Sequence, residues 1–250
     1  MSSNRALRVL LLTDLFVLLA ELSVAVVLPW WITSTGGAHA LAVFSVTLAV
    51  ATFLIAPTVS PFGDRFCKAR QITWGLACLV LVAATQAALS FVGVFSVAAL
   101  TALAVLQVLA TSFVDPARDT VLTELMPPAE LPVAIRLRKT TRAVGGIVGP
   151  LVAGALLAGA GVTAALCCYG GLLIAAALTA LRIPRTPCPR PQRGGFAVWW
   201  GALHTGLAVK WRVPIERGWT LVNFAVWVFQ GPAVGLLIPI KVHALGLQGN

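Results

Sequence analysis

Two carboxylates stand seven residues apart in a predominantly apolar stretch near the start of the chain, Asp14 and Glu21. In a helix this spacing is two turns, so both side chains lie on one face. A carboxyl group surrounded by hydrocarbon is costly when charged, and it therefore takes up a proton or pairs with a cation. These residue types at this spacing predict a wall that binds protons or cations. For Asp14 an alternative stays open, in which it pairs near the membrane surface with a basic group such as Arg5 or Arg8.

The composition indicates that these carboxylates lie within a membrane. Of the 250 residues, 59% are hydrophobic and only 10% are charged, whereas a soluble domain is about 25% charged. A helix needs about 20 apolar residues to cross the hydrocarbon core. Seven stretches satisfy this length, at residues 6–31, 40–59, 71–91, 94–126, 133–160, 162–181 and 218–240. They are too long for strands and do not alternate with period two, so we predict an all-α, polytopic membrane bundle of about seven transmembrane helices.

Lysine and arginine residues cluster on one side of the predicted bundle. The net charge is +10, and the cations fall before the first stretch, between the second and third, around the start of the fifth and after the sixth. The connections at 33–39, 91–94 and 158–162 carry no Lys or Arg. By the positive-inside rule, the N-terminus is cytoplasmic in a multi-pass protein of the cytoplasmic (inner) cell membrane. This distribution argues against nucleic acid as a partner and makes the lipid bilayer the expected one.

The connection after the sixth stretch has its own composition. Proline and arginine alternate through residues 184–193, which favours an extended, solvated strap. Residues 196–211 then place aromatic and leucine side chains at helical spacing, which predicts a short amphipathic helix at the inner membrane face. The alternative is a disordered basic linker. At the opposite side, Trp30 and Trp31 predict an aromatic belt at the outer interface.

Nothing in the sequence predicts covalent chemistry. The five cysteines have no metal-ligand spacing, and an odd number in helices and inner connections gives no disulfide framework. We interpret them as packing residues. The chain has no Gly-rich phosphate loop, zinc motif or nucleophile elbow. We therefore expect no enzyme activity, no cofactor and no metal; an intramembrane enzyme would need a nucleophile with its base, or a metal site.

The charged connection between the second and third stretches carries a recognisable pattern. It includes Asp64-Arg65, followed by the cations Lys68 and Arg70. This resembles the loop between helices 2 and 3 of major facilitator superfamily transporters, whose pattern is G-x-x-x-D-R-x-G-R-R. Here Ser60 and a cysteine replace the two glycines.

The resemblance implies a gate at the inner face. Asp64 would cap a helix of the second half of the transporter, whose N-terminal dipole favours a negative charge. Arg65 would pair with Asp119 or Glu124 at the inner end of helix 4, and Lys68 and Arg70 would belong to the same gate. The alternative is that Asp64 and Arg65 only stabilise a tight loop.

A second pattern lies in the fifth stretch, where Gly145, Gly149, Pro150 and Gly154 occur at fixed spacing with Ala153 between them. It resembles the helix-5 pattern G-x-x-x-G-P-x-x-G-G of antiporter-type exporters. Small residues four apart let helices approach closely in lipid, and the proline bends its helix. The resemblance implies a close contact with helix 8 of the second half. The alternative is ordinary tight packing.

A third resemblance concerns residues 115–127, which are similar to the end of helix 4 in siderophore and macrolide exporters. Asp115-Pro116 also fits an N-cap with proline at the first helical position, which predicts a break and restart of helix 4. Asp115 and Arg118 are spaced to pair at i, i+3. Possible cavity-lining residues are Gln107, Asp115, Arg118, Asn223 and Gln230. The alternative for the amides, and for Tyr169, is an interhelical hydrogen bond.

The family resemblance implies twelve helices in two halves, with the substrate bound between them. On that pattern residues 1–183 form an N-terminal six-helix bundle, 184–216 a cytoplasmic linker, and 217–250 the first helix of an incomplete second half. The implied function is proton-coupled efflux of a small hydrophobic or siderophore-like molecule by alternating access. Its partners would be the substrate, protons and a missing second half or second chain. The alternatives are a truncated or accessory protein that does not transport, and a proton-driven importer of the same superfamily.

Overall fold

The protein is described by a computed structural model that covers residues 3–63, 66–184, 188, 196–232 and 241. Within these residues six helices follow one another: α1 (Ser3–Gly63), α2 (Lys68–Phe91), α3 (Val97–Leu125), α4 (Leu131–Ala180), α5 (Phe196–Arg212) and α6 (Pro214–Pro232). The first four are long and apolar enough to cross a membrane. The predicted all-α membrane bundle is confirmed.

Three glycines make the turns at the end of the bundle opposite the cation clusters. α1 has 61 residues, which as one straight helix would measure about 90 Å, three times the hydrocarbon core. It is broken at Gly37 (φ 75°, ψ −177°), and α4 is broken at Gly161 (φ 80°, ψ −178°). This conformation is essentially restricted to glycine. Gly93, which follows α2, also has a positive φ, of 73°. Each of the three predicted outer connections thus contains a glycine at its turn. Because of the breaks at Gly37 and Gly161, α1 and α4 each contain two of the predicted spans.

Specific contacts join the ends of these segments. At the glycine end, the rings of Trp31 and Phe95 meet edge-on at 6.0 Å, and Ser90 Oγ lies 2.8 Å from Thr163 Oγ1. Trp31 is only 7% exposed, so the predicted interfacial belt is wrong for this residue. Its ring packs against Phe95 instead of reaching the lipid boundary.

The core of the bundle lies where α1 meets α3 and α4. Leucine, valine and alanine side chains of all four membrane helices fill it, and large apolar residues such as Phe53 and Leu81 remain on the outside. Helices in lipid gain little from burying apolar area, because lipid tails are equally apolar. Close packing and interhelical hydrogen bonds hold them together instead.

The third membrane helix does not break at its proline. α3 runs without interruption from Val97 to Leu125 with Pro116 inside it, so the predicted restart at Asp115 is wrong. Asp115 turns its carboxylate to Arg118 and does not cap a helix. The Thr120 hydroxyl donates to the Pro116 carbonyl at 2.8 Å, within the helical turn that follows the proline.

Two of the cysteines are paired. A disulfide joins Cys67, in the connection before α2, to Cys188, in the connection before α5. Our interpretation of all five cysteines as packing residues is wrong for this pair. An odd total does not prevent one pair from forming when the fold brings two connections together. Cys78, Cys167 and Cys168 are free.

The linker contains the helix that its periodicity predicts. α5 spans Phe196–Arg212 and contacts the end of α1, where Trp199 Nε1 donates to the Thr58 carbonyl at 3.1 Å. Its place at the membrane surface stays a prediction. α6 begins at Pro214, an expected residue for a first helical position. The rest of the seventh predicted span, 233–240, lies outside the described residues.

Candidate functional site

A group of seven charged side chains connects α1, α3 and α4, and we call it the charge cluster. Its members are Asp14 and Glu21 of α1, Asp115, Arg118 and Asp119 of α3, and Arg138 and Arg142 of α4. Sequence analysis proposed three of these carboxylates and Arg118 for separate roles, and Asp119 for the gate. The fold brings them all together.

Asp14 is the buried centre of the charge cluster, with 4% of its surface exposed. Its Oδ1 accepts from Arg118 Nε at 2.7 Å, and its Oδ2 accepts from Arg138 Nε. Both arginines are also buried. One carboxylate therefore holds two guanidinium groups from two other helices. This buried pairing, and not a contact at the membrane surface, accounts for the position of Asp14.

Arg118 distributes its charge over three carboxylates. Besides Asp14, its Nη1 lies 3.0 Å from Asp115 Oδ1 and 3.9 Å from Glu21 Oε1. The predicted i, i+3 pair of Asp115 and Arg118 is present. The contact with Glu21 is too long for a hydrogen bond. Glu21 Oε1 is buried and has no hydrogen-bond partner among the described residues.

The charge cluster becomes more exposed along α3 and α4. Arg138 Nη1 contacts Asp119 Oδ1 at 2.7 Å, and Arg142 Nη2 contacts the same oxygen at 3.4 Å. The Asp119 side chain is 57% exposed and that of Arg142 44%. A continuous series of ion pairs thus connects the buried Asp14 to the exposed side chains of Asp119 and Arg142.

The charges of the cluster do not balance. Four carboxylates face three guanidinium groups, so the fully ionised cluster carries one negative charge in excess. Asp14, Asp115 and Asp119 each have an arginine nitrogen within 3.0 Å. Glu21 has its nearest at 3.9 Å. Glu21 is therefore the carboxylate whose charge is least compensated.

The small residues of α4 bring it close enough to α1 for these pairs to form. A Cβ added at Gly145 would lie 3.1 Å from Leu18 Cβ, and one at Gly149 would lie 3.0 Å from Leu22 Cβ. Ser23 Oγ donates to the Gly149 carbonyl at 3.1 Å. Both glycines face α1, and a contact of this helix with helix 8 of a second half stays a prediction.

The other two residues of the helix-5 pattern are Pro150 and Gly154. A Cβ added at Gly154 would meet nothing within 4 Å, and Pro150 continues α4 without ending it. For Gly154, a contact with a second half stays a prediction.

The remaining cavity candidates are not part of the charge cluster. Gln107 Oε1 is buried without a hydrogen-bond partner among the described residues. Asn223 Nδ2 donates to Trp219 O of its own helix at 2.8 Å, and Gln230 is exposed. A cavity role for these amides stays a prediction.

The predicted gate is described only in part. Lys68 is buried, the Arg70 guanidinium lies 5.5 Å from the centre of the Trp74 ring, and Glu124 is exposed. Asp64 and Arg65 lie outside the described residues, so their gating contacts stay predictions.

Sequence analysis missed the role of Arg138, which it used only as a marker of the inner side. A signal was present. Arg138 and Arg142 continue the face of Gly145 and Gly149, with spacings of four, three and four residues. That spacing keeps side chains on one helical face, and this face packs against the α1 segment that carries Asp14.

Comparison with known families decides the identity of the fold. The sequence model of the Major Facilitator Superfamily matches residues 10–249. The chain belongs to the Major Facilitator Superfamily. It is accordingly a multi-pass membrane transporter of that superfamily. No curated protein matches the chain. In this transporter the charge cluster joins its first, fourth and fifth membrane segments, since α1 and α4 each contribute two.

Proposed function

We propose that this transporter exports a small hydrophobic or siderophore-like molecule in exchange for protons, and that Glu21 is the carboxylate that binds the proton. The observation that carries the proposal is the uncompensated position of Glu21 within the charge cluster. Its Oε1 is buried, has no hydrogen-bond partner among the described residues and lies 3.9 Å from the nearest guanidinium nitrogen.

The excess negative charge supports proton binding at this residue. A fully ionised cluster is one cation short, and in a weakly polar surrounding such a charge is relieved by a proton or a cationic ligand. The Glu21 side chain is 25% exposed, so a proton or a substrate can reach it. Asp14 is shielded and held by two arginines, which suits a structural anchor between the helices.

Protonation of Glu21 would change what Arg118 contacts. When Glu21 is neutral, Arg118 is drawn more strongly to Asp14 and Asp115. Arg118 is part of α3 and Asp14 is part of α1. The stronger pairing of these two side chains therefore increases the attraction between two membrane segments. A ligand shifts a conformational equilibrium only by its differential interaction with the two states. The proton supplies that difference here.

The rest of the transport cycle follows from the superfamily architecture. Transporters of this kind bind substrate near the midplane between two halves, which rock against each other. We propose that residues 1–183 are one half, that 184–216 are the linker, and that a second half completes the cavity beside Glu21. Asp64 and Arg65 would then close the cytoplasmic side against that half. The positive-inside pattern supports a cytoplasmic N-terminus in the inner cell membrane.

The direction of transport is proposed from the helix-5 pattern of Gly145, Gly149, Pro150 and Gly154, which resembles that of antiporter-type exporters. The pattern has a physical counterpart here, since Gly145 and Gly149 fix α4 against the segment that carries Asp14 and Glu21. Movement of α4 is thereby linked to the proposed proton site.

The test uses inverted membrane vesicles that contain the whole transporter. A pH-sensitive dye reports proton release when a hydrophobic substrate is added. We expect Glu21→Gln to abolish substrate-driven proton flux, because the amide cannot exchange a proton and keeps the shape of the side chain. Glu216→Gln is the matched control, since Glu216 is exposed and lies outside both the charge cluster and the predicted gate.

Two results would count against the proposal. Proton flux in Glu21→Gln equal to that of the unmodified protein would remove Glu21 from the coupling step. Substrate accumulation in the direction of the proton flow would identify an importer and overturn the assignment of export.

A further inference from the structure

We propose that Cys67 and Cys188 form a reversible thiol–disulfide site that restrains the linker of this transporter. The inference rests on the proposed function, because the restraint acts on the motion of the two halves. A disulfide joins the two cysteines across 121 residues of sequence. It connects the loop before α2, whose sequence carries the predicted gate residues, to the linker before α5.

The surroundings of Cys67 suit thiol chemistry. Cys67 precedes the first turn of α2, and its carbonyl accepts from the Gln71 amide at 2.9 Å. Cys67 thus occupies the N-cap position at the positive end of the α2 dipole, and Lys68 follows it in the sequence. Helix N-termini and neighbouring cations favour the thiolate, which is the nucleophile in disulfide exchange.

Cys188 is exposed, so a small disulfide can reach it first. The Cys188 thiolate attacks a low-molecular-weight disulfide RSSR, which forms a Cys188–SR mixed disulfide and releases one thiolate RS⁻. The Cys67 thiolate then attacks the Cys188 sulfur and displaces the second RS⁻. In total, two protein thiols and one RSSR give one protein disulfide and two RSH, and a reducing dithiol reverses the reaction.

The disulfide lies on the side of the membrane where it can be both formed and reduced, so it can act as a switch. Cys67 and Cys188 lie at the end of the bundle with the Lys and Arg clusters, which the proposed orientation places in the cytoplasm. Disulfides in that compartment are usually transient, because the thiol pool reduces them. The pairing is also selective, since Cys78, Cys167 and Cys168 remain free.

A second contact shows what the disulfide restrains. Trp199 of α5 already binds the Thr58 carbonyl at the end of the second α1 segment. The thirteen peptide units from Ile183 to Phe196 can span at most about 47 Å, whereas the eight from Cys188 to Phe196 span about 29 Å. The disulfide therefore shortens the stretch of chain between the bundle and α5, and so holds α5 near the loop before α2. The oxidised transporter rocks more slowly than the reduced one.

The experiment uses the whole transporter in inverted vesicles, treated with oxidised glutathione or with dithiothreitol. Three quantities are measured: labelling by a maleimide-polyethylene glycol, trypsin cleavage after Arg193, and substrate-driven proton flux. Reduction should add two labelled cysteines and accelerate cleavage. It should also raise the flux severalfold in the unmodified protein, and leave it unchanged in Cys67→Ser and Cys188→Ser. Cys78→Ser is the control and should behave like the unmodified protein.

Each alternative outcome has a distinct meaning. Equal labelling before and after reduction would show that the pair does not form and would overturn the proposal. An oxidised protein as fast as Cys67→Ser would overturn the restraint. Absence of flux in every sample would overturn the proposed transport function alone, and labelling and cleavage would still decide whether the linker is restrained.

Discussion

Replacing Asp14 by asparagine should destabilise the bundle strongly, because one side chain then stops compensating two buried arginines. Arg118 is 3% exposed, and Arg138 is buried beside it, so neither can turn to water. Removing one partner of a buried ion pair costs about 3–5 kcal/mol. At about 2–4 °C per kcal/mol for a chain of this size, the apparent melting temperature should fall by roughly 6–20 °C.

The assay is the fraction of detergent-solubilised protein that stays monodisperse after heating. Asp119→Asn is the matched control, because Asp119 also contacts two arginines but its side chain is 57% exposed. Exposed pairs contribute about 0–1 kcal/mol, so this variant should lose no more than about 4 °C. A second change, Arg138→Met on the Asp14→Asn background, should restore part of the loss, because it removes a buried guanidinium that has lost its contact with the Asp14 carboxylate.

A small effect of Asp14→Asn would refute this reasoning. If its melting temperature fell no further than that of Asp119→Asn, the pairs at Asp14 would contribute little. If the added Arg138→Met change lowered stability further, packing and not charge would be the contribution of Arg138.

Two further predictions concern glycines, with stability measured by the same assay. Gly161→Ala should lower the free energy of unfolding by about 1–3 kcal/mol, because φ at this position is +80°. Crowding is not the cause, since the added Cβ would meet nothing within 4 Å. Gly159 is equally uncrowded but helical, so Gly159→Ala should be neutral or slightly stabilising. Equal effects of the two changes would contradict the strained turn. Gly149→Leu should lower the free energy of unfolding by about 1–3 kcal/mol or more, because it forces α4 away from α1. Gly146→Leu is the control and should not, since a Cβ at Gly146 would meet nothing within 4 Å. A tolerated Gly149→Leu would contradict the close contact.

The charge cluster and the glycine contacts serve one purpose in the proposed mechanism. The glycines set the distance between α1 and α4, and that distance lets Arg138 reach Asp14. Asp14 thus connects three membrane segments through its two arginines, while Glu21 is the carboxylate that we propose binds the proton. This division of roles separates the two carboxylates, which sequence spacing alone treats alike.

The sequence by itself determined the class of fold, the apolar segments that form the four long membrane helices, and the helix within the linker. These follow from local properties. About 20 apolar residues must form a helix in lipid to satisfy their own backbone, and the pattern repeats along the chain wherever such a stretch occurs. Gly37, Gly93 and Gly161 lie in or beside the connections without cations that were predicted as outer turns. The i, i+3 pair of Asp115 and Arg118 was equally readable, because both residues share one helix.

Only the tertiary structure decided which segments meet. Asp14 binds Arg118 and Arg138, which lie 104 and 124 residues away, and Cys67 binds Cys188 across 121 residues. Gly145 and Gly149 face α1. Hydropathy and periodicity describe one helix at a time. They leave open the order of helices around the bundle and the rotation of each about its axis, and these two quantities determine which charges and glycines come into contact.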